Sequence, residues 1–339
     1  MRKSGRKAQY PNTRVRSKTV TAVTVVILIV TAVAGLYADY LHYRETAAVI
    51  ARTERLFAAH FIDVGQGDAC LLVTPENDTM LVDCGTTDSS AYLVKYLKDA
   101  GIERLTYLLL THPHEDHYGG AEAIIKAFPV ENLVILGEFA ETYPYDRFIY
   151  MVENNAFGED SEVILAARDD LFAFGDAASF YIFAPEKADF NDYNESSLAL
   201  KLIFGNTSFL FNGDAEKGSE RAMLAAGYDV NADVFSAGHH GSATSNTASF
   251  VQAVSPDYAV ISCGKNNSYG HPHKKTLQTF AASGVTVLRT DESGDIVLVS
   301  DGERVLPLAE LPDDGAANEE KGFFRYLGER VGDVFVHLS

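Results

Sequence analysis

The sequence predicts an α/β protein in which short strands alternate with helices, behind one apolar amino-terminal helix. Three observations support this fold class. The 339 residues are 47% hydrophobic and 22% charged, as in an ordinary globular protein. Short apolar runs alternate with segments whose apolar residues recur at helical spacing. Histidines and aspartates gather where several predicted strands end, which is where α/β folds place their sites.

The amino terminus has the composition of a membrane anchor. It carries seven basic residues and no acidic residue before Asp39, and the run Thr19 to Ala38 is uncharged. About 20 apolar residues in a helix span a bilayer, and a basic flank stays in the cytoplasm. We therefore predict a basic cytoplasmic segment (1–18) and a transmembrane signal anchor (19–38). The alternative is a cleaved secretory signal, for which Ala32-Val33-Ala34 offers a cleavage site.

Both alternatives place the remaining chain outside the cytoplasm, either as a single-pass protein of the cell membrane or as a secreted one. Residues 39–55 are predicted to form a helical stalk. Without the seven amino-terminal basic residues, 21 basic side chains remain against 47 acidic ones, a formal charge of −26. Such a surface repels polyanions, which excludes a general DNA-coating protein and requires a local cationic site for nucleic acid.

The three cysteines, Cys70, Cys84 and Cys263, are odd in number and lack metal-type spacing. They therefore imply no disulfide framework. We predict that they are small buried residues.

Residues 56–306 are predicted to form the catalytic domain. "RLFAAHFIDVG", "ACLLVTP" and "MLVDCG" read as strands, followed by a helix from Ser90 to Ala100 and the apolar strand "LTYLLLT". A helix in "AEAIIKAF" and a strand in "NLVIL" continue the alternation. Residues 137–175, rich in aromatic and acidic residues, are predicted to be an insertion near the site. Seven more strands follow, in "SFYIFAP", "SLALKLIFG", "TSFLFNGD", "ADVFSAG", "YAVISCG", "TVLRTD" and "DIVLVSDG". Residues 307–339 are predicted to be an acidic linker and tail.

The stretch "LTHPHEDHYGG" is the strongest chemical signal in the chain. His112, His114, Asp116 and His117 cannot share one face of a helix, so we expect them to converge from a loop after the strand. Imidazole and carboxylate groups bind zinc or manganese, and a loop with four of them can serve two ions.

Other candidate ligands also follow predicted strands. His239 and His240 in "AGHHGS" are candidate ligands, whereas His271 and His273 in "YGHPH" are either ligands, substrate contacts or loop braces. A carboxylate can bridge two cations, and Asp214 in "FLFNGD" is the candidate for that role. Asp83 in "MLVDCG" is predicted to accept a hydrogen bond from a ligand histidine and so fix its tautomer.

"HPHEDH" fits the His-x-His-x-Asp-His motif of the metallo-β-lactamase superfamily. "FIDVGQGDACLL", "NESSLAL", "LFNGDAE", "GHHGSATS", "NNSYGHPH" and "LRTDESGDI" further resemble the extracellular hydrolase domain of ComEC-type channels, which take up DNA in bacterial competence. The resemblance runs from about Leu56 to Leu306, roughly three quarters of the chain.

The resemblance implies a four-layer αββα sandwich of two mixed sheets with a metal site at one edge. His112 and His114 would bind one metal, Asp116 and His117 the other, and Asp214 would bridge them. Either His239 or His240 would complete the second site. The metals would be two divalent cations, zinc with manganese as the alternative. The remaining candidates would support ligands or contact substrate: Asp68, Asp83, Asn194, Ser197, Lys265, His271 and His273.

The sequence departs from the family pattern in two ways. The superfamily commonly supplies another histidine to the first site before the bridging aspartate, but no histidine occurs from Tyr118 to Gly213, and Asn194 stands at roughly that place. An amide or a water in place of imidazole favours manganese beside zinc. One amino-terminal span is predicted in place of the many spans of a channel, so we expect that the chain is not itself a DNA channel.

The function predicted from the sequence is a two-metal phosphodiesterase or nuclease that acts on extracellular DNA. In this mechanism Asp116 orients the attacking water, and the metals stabilise the charge on the phosphoryl group. Lys265, Lys274 and Lys275 are either guides for a nucleic-acid backbone or ordinary exposed lysines. Two alternatives remain: hydrolysis of another exported substrate, such as a cell-envelope phosphodiester, a lactone or a β-lactam, and a non-catalytic module braced by metal.

Overall fold

The structure is a computed structural model that describes residues 13–53, 55–154, 161–185 and 188–311. Most of the predicted basic segment (1–12) and most of the predicted tail (312–339) lie outside the described residues. Two compact units divide the chain, and the larger, Val49–Ala316, contains all the strands described below.

The helices of the described residues are α1 (Thr13–Thr53), α2 (Ser90–Asp99), α3 (Glu115–Tyr118), α4 (Ala121–Ala127), α5 (Tyr145–Glu153), α6 (Lys217–Ala226), α7 (Ala248–Val254), α8 (Lys274–Ala282) and α9 (Thr290–Ser293). The strands are β1 (Phe57–Phe61), β2 (Cys70–Val73), β3 (Thr79–Val82), β4 (Leu105–Leu109), β5 (Val130–Leu136), β6 (Glu162–Ala166), β7 (Leu171–Phe174), β8 (Ala178–Ala184), β9 (Ala199–Phe204), β10 (Thr207–Phe211), β11 (Val234–Ser236), β12 (Tyr258–Ile261), β13 (Thr286–Arg289), β14 (Ile296–Ser300) and β15 (Val305–Pro307).

Two mixed sheets form the centre of the larger unit. The first has the strand order β15-β14-β1-β2-β3-β4-β5-β6, and the second has the order β13-β12-β11-β10-β9-β8-β7. Strands β3 to β6 run parallel in the first sheet, and β10 to β13 run parallel in the second. Loops after parallel strands emerge at the same edge of a sheet, which is where the candidate ligands lie.

Aromatic side chains join the layers. The rings of Phe57 on β1 and Phe209 on β10 lie 5.1 Å apart, and Phe61 stacks on Phe211, so the two sheets pack face to face. On the other face of the second sheet, Phe235 contacts the rings of Phe250 on α7 and Phe280 on α8. Helices α2, α4 and α5 cover the first sheet. The predicted αββα sandwich is thus confirmed.

Helix α1 includes the whole of the predicted anchor and most of the predicted stalk. Within the part of the chain that the structure describes, no helix combines the length and the apolar character of a membrane span. The predicted transmembrane helix is therefore not confirmed and stays a prediction.

Residues 137–175, predicted to be an insertion near the site, contribute to both sheets. This segment supplies α5 and the strands β6 and β7, which form the edge of the first and of the second sheet. Its alternating apolar residues are partly exposed because edge strands are covered on fewer sides, which made the strands hard to recognise. The predicted domain end at Leu306 also falls inside β15, which pairs with β14.

Candidate metal centre

Loops at one edge of the sandwich bring nine ligand-type side chains together. Asp83 follows β3, and the histidine-rich stretch follows β4 in the first sheet. Asp214 follows β10, and the His239-His240 pair follows β11 in the second. Asp68 comes from the turn between β1 and β2. Helix α3 begins at Glu115, so Asp116 and His117 lie on a helical turn rather than on the predicted loop.

The first group of candidate ligands is His112, His114 and Asp214, whose ligand atoms lie within 4.8 Å of one another. His112 Nε2 is 3.0 Å from His114 Nδ1 and 3.7 Å from Asp214 Oδ2. Nitrogen and oxygen atoms that converge in this way suit a divalent cation of the zinc or manganese type.

The second group is Asp68, His117, Asp214 and His240, also within 4.8 Å. The Nε2 atoms of His117 and His240 lie 3.2 and 3.6 Å from Asp214 Oδ1. Asp214 therefore directs one oxygen to each group, which is the arrangement that a bridging carboxylate requires. Its side chain is buried, as are those of His112, His117 and His240.

Asp83 and Thr111 fix the tautomers of two histidines. Asp83 Oδ2 accepts hydrogen bonds from His117 Nδ1 and from the Thr111 hydroxyl, both at 2.8 Å. Because the single hydroxyl hydrogen of Thr111 points at Asp83, its oxygen accepts from His112 Nδ1 at 3.1 Å. When each ring carries one hydrogen, that hydrogen is on Nδ1, and the Nε2 lone pairs of His112 and His117 are turned to the site. This arrangement matches the prediction for Asp83.

Asp68 plays a similar part for His240. The Nδ1 atom of His240 lies 3.2 Å from Asp68 Oδ1 and 3.1 Å from the Ser262 carbonyl oxygen. Both neighbours accept hydrogen bonds, so Nδ1 carries the hydrogen and Nε2 faces the second group. The sequence prediction named Asp68 as a supporting residue but did not single out Ser262 or Thr111. Thr111 directly precedes the motif, which is the one signal that could have identified it.

Buried polar atoms without partners show that this site fits a cation. In the described residues, His117 Nε2, His240 Nε2 and Asp214 Oδ1 are buried and have no hydrogen-bond partner. Leaving such atoms unpaired is costly, and a shared cation removes that cost.

The electrostatics of the site also favour a cation. Burial raises the pKa of Asp214, but the positive charges of His117 and His240 outweigh it and hold that pKa well below the ordinary value. Burial lowers the pKa of His117 and of His240, but neighbouring carboxylates, Asp214 first, raise both well above the ordinary value. Burial holds the pKa of His112 well below its ordinary value. The protons on His117 and His240 thus balance the negative charge of the carboxylates, and bound cations would displace these protons.

Asp116 lies outside the group of ligands to which the resemblance assigns it. Its Oδ2 lies 3.2 Å from His240 Nε2, but it belongs to neither group of closely spaced ligand atoms. Burial opposes ionisation of Asp116, yet the close contact with His240 and the charge of His117 lower its pKa. It is more exposed than Asp214, at 28% against 3% of the side chain, so it is the more accessible of the two carboxylates.

The backbone of the His239-His240 pair is strained. Both residues have positive φ angles of 52°, a conformation that is unfavourable for residues other than glycine. Of the two, His240 belongs to the second group, whereas His239 Nε2 lies 3.6 Å from the other oxygen of Asp214.

The remaining predicted residues surround these groups. Asn194 Oδ1 is buried without a partner, and Ser197 Oγ accepts a hydrogen bond from the backbone N–H of Asp214 at 3.1 Å. The His271 ring lies 6.1 Å from that of His240, and burial lowers its pKa to about 4. His273 is a loop brace, since its Nδ1 accepts from the Ala243 N–H. Lys265 is exposed.

The three cysteines are buried and free, as predicted. Burial raises the pKa of the Cys70 and Cys84 thiols well above the ordinary value, and neither belongs to the two groups of closely spaced ligand atoms.

Comparisons with known proteins agree with this geometry. A family model described as "Metallo-beta-lactamase superfamily" matches residues 62–265. "ComE operon protein 3" of Bacillus subtilis (strain 168) is 35% identical over 252 residues, which are 69% of this chain and 32% of that protein. "Competence protein ComA" of Neisseria gonorrhoeae is 32% identical over 261 residues, 76% of this chain and 34% of that protein. The chain thus spans about a third of the length of these relatives.

Among solved structures, a metal-dependent hydrolase of the β-lactamase superfamily is similar, with a TM-score of 0.46 and 13% identity. The similarity covers 69% of this chain and 95% of that one.

Proposed function

The chain belongs to the metallo-β-lactamase superfamily, whose members are generally metal-dependent hydrolases, and from that premise we propose that it is a two-metal phosphodiesterase that cleaves DNA outside the cytoplasm. The observation that carries the proposal is Asp214, a buried carboxylate whose two oxygens face two separate groups of candidate ligands.

Two divalent cations, zinc or manganese, would be held by these groups. His112, His114 and Asp214 would hold the first, with the Asn194 amide as a further candidate ligand. His117, Asp214, His240 and a carboxylate of Asp68 or Asp116 would hold the second. When bound, the cations would supply Lewis-acid stabilisation of the phosphoryl group and lower the pKa of an attacking water.

The residues of the chain orient the reaction. Asp83, Thr111 and Asp68 hold three histidine rings in one tautomer, so their Nε2 lone pairs stay directed at the site. Asp116, the more exposed carboxylate, would accept a hydrogen bond from the attacking water and aim it at phosphorus.

DNA is the substrate that the similar proteins suggest. Two of them are described as a competence protein and a protein of the ComE operon. Since the chain covers about a third of each, their activity as whole proteins comes to this chain only as a proposal.

We also propose that α1 anchors the protein in the cell membrane, with the catalytic domain on the outer side. The support is the exposure of large apolar side chains on α1, from Val25 (48%) through Leu28 (62%) to Val33 (52%). Exposed apolar patches of this kind mark membrane or protein contacts. After expression of the full chain, the domain should pellet with membranes and be digested by protease added outside intact cells. Recovery in the medium would instead indicate a cleaved signal.

The catalytic proposal is tested by metal content and cleavage. The purified full chain should contain close to two zinc or manganese ions and cleave single- or double-stranded DNA. Asp214→Asn and His114→Ala should abolish cleavage, while Asp229→Asn, a surface carboxylate paired with Lys201, should retain it. Hydrolysis of a generic phosphodiester without DNA cleavage would refute the nuclease and leave the hydrolase. A folded protein without metal would refute both.

A further inference from the structure

A continuous row of rings passes through the candidate metal centre. The histidines of the two ligand groups form its middle, with neighbouring ring centroids 4.2 to 5.1 Å apart. On one side, His114 contacts Tyr193, which contacts Phe139, which contacts Phe190, at 5.3 to 5.7 Å. On the other side, His240 leads through His271 to Tyr269, at 6.1 and 5.6 Å.

The row ends in an exposed aromatic ring on each side of the centre. Phe190 is 53% exposed and Tyr269 is 64% exposed, although the ring behind each of them, Phe139 or His271, is buried. Tyr269 stacks on His271 with an angle of 21° between the planes, so its other face is turned away from the protein. Exposed rings on buried ring supports are binding surfaces for planar groups.

The Tyr269 end is held rigidly. The side chain of Asn267 accepts hydrogen bonds from the N–H groups of Tyr269 and His271 and donates to the carbonyl oxygens of Gly264 and His271. A ligand that stacks there would therefore meet a ring that is already in position, which reduces the entropic cost of binding.

This end is also locally basic. Lys265, Lys274 and Lys275 are exposed and lie within a few residues of Tyr269 in the chain, although the protein as a whole has a net charge of −19. Positively charged side chains beside an exposed ring suit a polymer that has an anionic backbone and a planar group on each unit.

We propose that the row is a track for single-stranded nucleic acid, with one base stacked on Tyr269 and another near Phe190 while a phosphodiester of the nucleotides between these two bases lies over the metal centre. The inference rests on the proposed phosphodiesterase and specifies its substrate. Bases in a duplex are stacked on one another, so the track selects unpaired strands.

The experiment compares two substrates of equal length and charge, an oligothymidylate and an oligomer of abasic sites, on the manganese-loaded full chain. Tyr269→Ala and Phe190→Ala should each lower the ratio of kcat/KM for the oligothymidylate to that for the abasic oligomer by about tenfold. Tyr269→Phe, which keeps the ring, should leave that ratio within about twofold of the wild type. The matched control is Tyr150→Ala on α5, because Tyr150 is equally exposed at 66%.

Equal ratios in the wild type and in Tyr269→Ala, with the oligothymidylate still cleaved, would overturn the track and leave the phosphodiesterase standing. Cleavage of neither oligomer, with hydrolysis of methyl p-nitrophenyl phosphate, would overturn both the track and the nuclease. A duplex cleaved as fast as the single strand would also refute the selection of unpaired strands.

Discussion

Single side chains decide whether the histidines of this centre present lone pairs or hydrogens to a cation. Asp83 is the most connected of them, since it also accepts the N–H of Thr111 at 2.8 Å. Its left-handed backbone, with φ of 59°, directs the carboxylate under the site. The sequence indicated this role from position alone, because a carboxylate at a strand end beside a histidine cluster has few other uses.

We expect Asp83→Asn to weaken metal binding by about 10- to 100-fold, because an amide has one acceptor oxygen and cannot accept from His117 Nδ1, the Thr111 hydroxyl and the Thr111 N–H together. The measurement is a competition titration of manganese against a chelator. Asp99→Asn is the matched control, since Asp99 is a buried carboxylate paired with Lys95 on α2. Unchanged manganese affinity in Asp83→Asn would show that the ligand rings need no such support.

His60 allows a residue-level test that does not involve metal. It is fully buried on β1 beside the Tyr96 hydroxyl, and burial lowers its pKa from 6.5 to about 4. The unfolded chain therefore binds more protons between these pKa values. The contribution of His60 to the free energy of unfolding is fully present above pH 6.5 and is lost as the pH falls toward 4.

Urea unfolding of the metal-free protein measures this contribution. Between about pH 7 and pH 5, the free energy of unfolding of the wild type should fall by about 2 kcal/mol more than that of His60→Met. Both proteins share the titration of the other groups, so the difference isolates His60. Parallel pH profiles would mean that His60 has the same pKa in the folded and the unfolded chain, which would contradict the prediction.

At the scale of elements, the sequence predicted the strands with clear boundaries and the loops that follow them. It could not predict which ligands share a cation, because that depends on how the β1–β2 turn meets the loop after β4. The Asp68 N–H donates to the Asp116 carbonyl oxygen at 3.1 Å, and this contact brings Asp68 into the second group. Contacts between segments 48 positions apart leave no local pattern in a single sequence.

Gly67 makes that approach possible. A Cβ at Gly67 would lie 2.4 Å from the Asp116 carbonyl oxygen. The substitution Gly67→Ala must therefore push the β1–β2 turn away from Asp116. We expect about tenfold weaker manganese binding, of the order found when groups supporting a ligand are disturbed. Gly65→Ala is the control, because Gly65 also has a positive φ but no atom within 4 Å of the added Cβ. If Gly67→Ala and Gly65→Ala lost the same manganese affinity, the cause would be backbone strain and not the contact with Asp116.

At the scale of the whole molecule, the charge distribution is opposite to that of most proteins that act on DNA. Acidic residues outnumber basic ones by 47 to 28, and the candidate cation sites are buried in the edge of the sandwich. The chain therefore repels a polyanion at long range, while the cations of the centre and the exposed lysines near Tyr269 would attract it locally. The composition alone showed the repulsion, but only the fold shows where the attraction lies.

Repulsion at long range together with attraction at the centre predicts an unusual dependence of kcat/KM on salt concentration. Raising ionic strength from about 10 to about 150 mM shortens the Debye length from roughly 30 to 8 Å, which screens the long-range repulsion more than the close contacts at the centre. The value of kcat/KM for an oligothymidylate should therefore stay constant or rise severalfold over this range, whereas proteins that bind through many phosphate contacts lose affinity steeply. Methyl p-nitrophenyl phosphate, with a single charge, is the control and should show little change. A steep fall for the oligothymidylate alone would mean that basic side chains, rather than the metal centre and the aromatic rings, dominate binding of the strand.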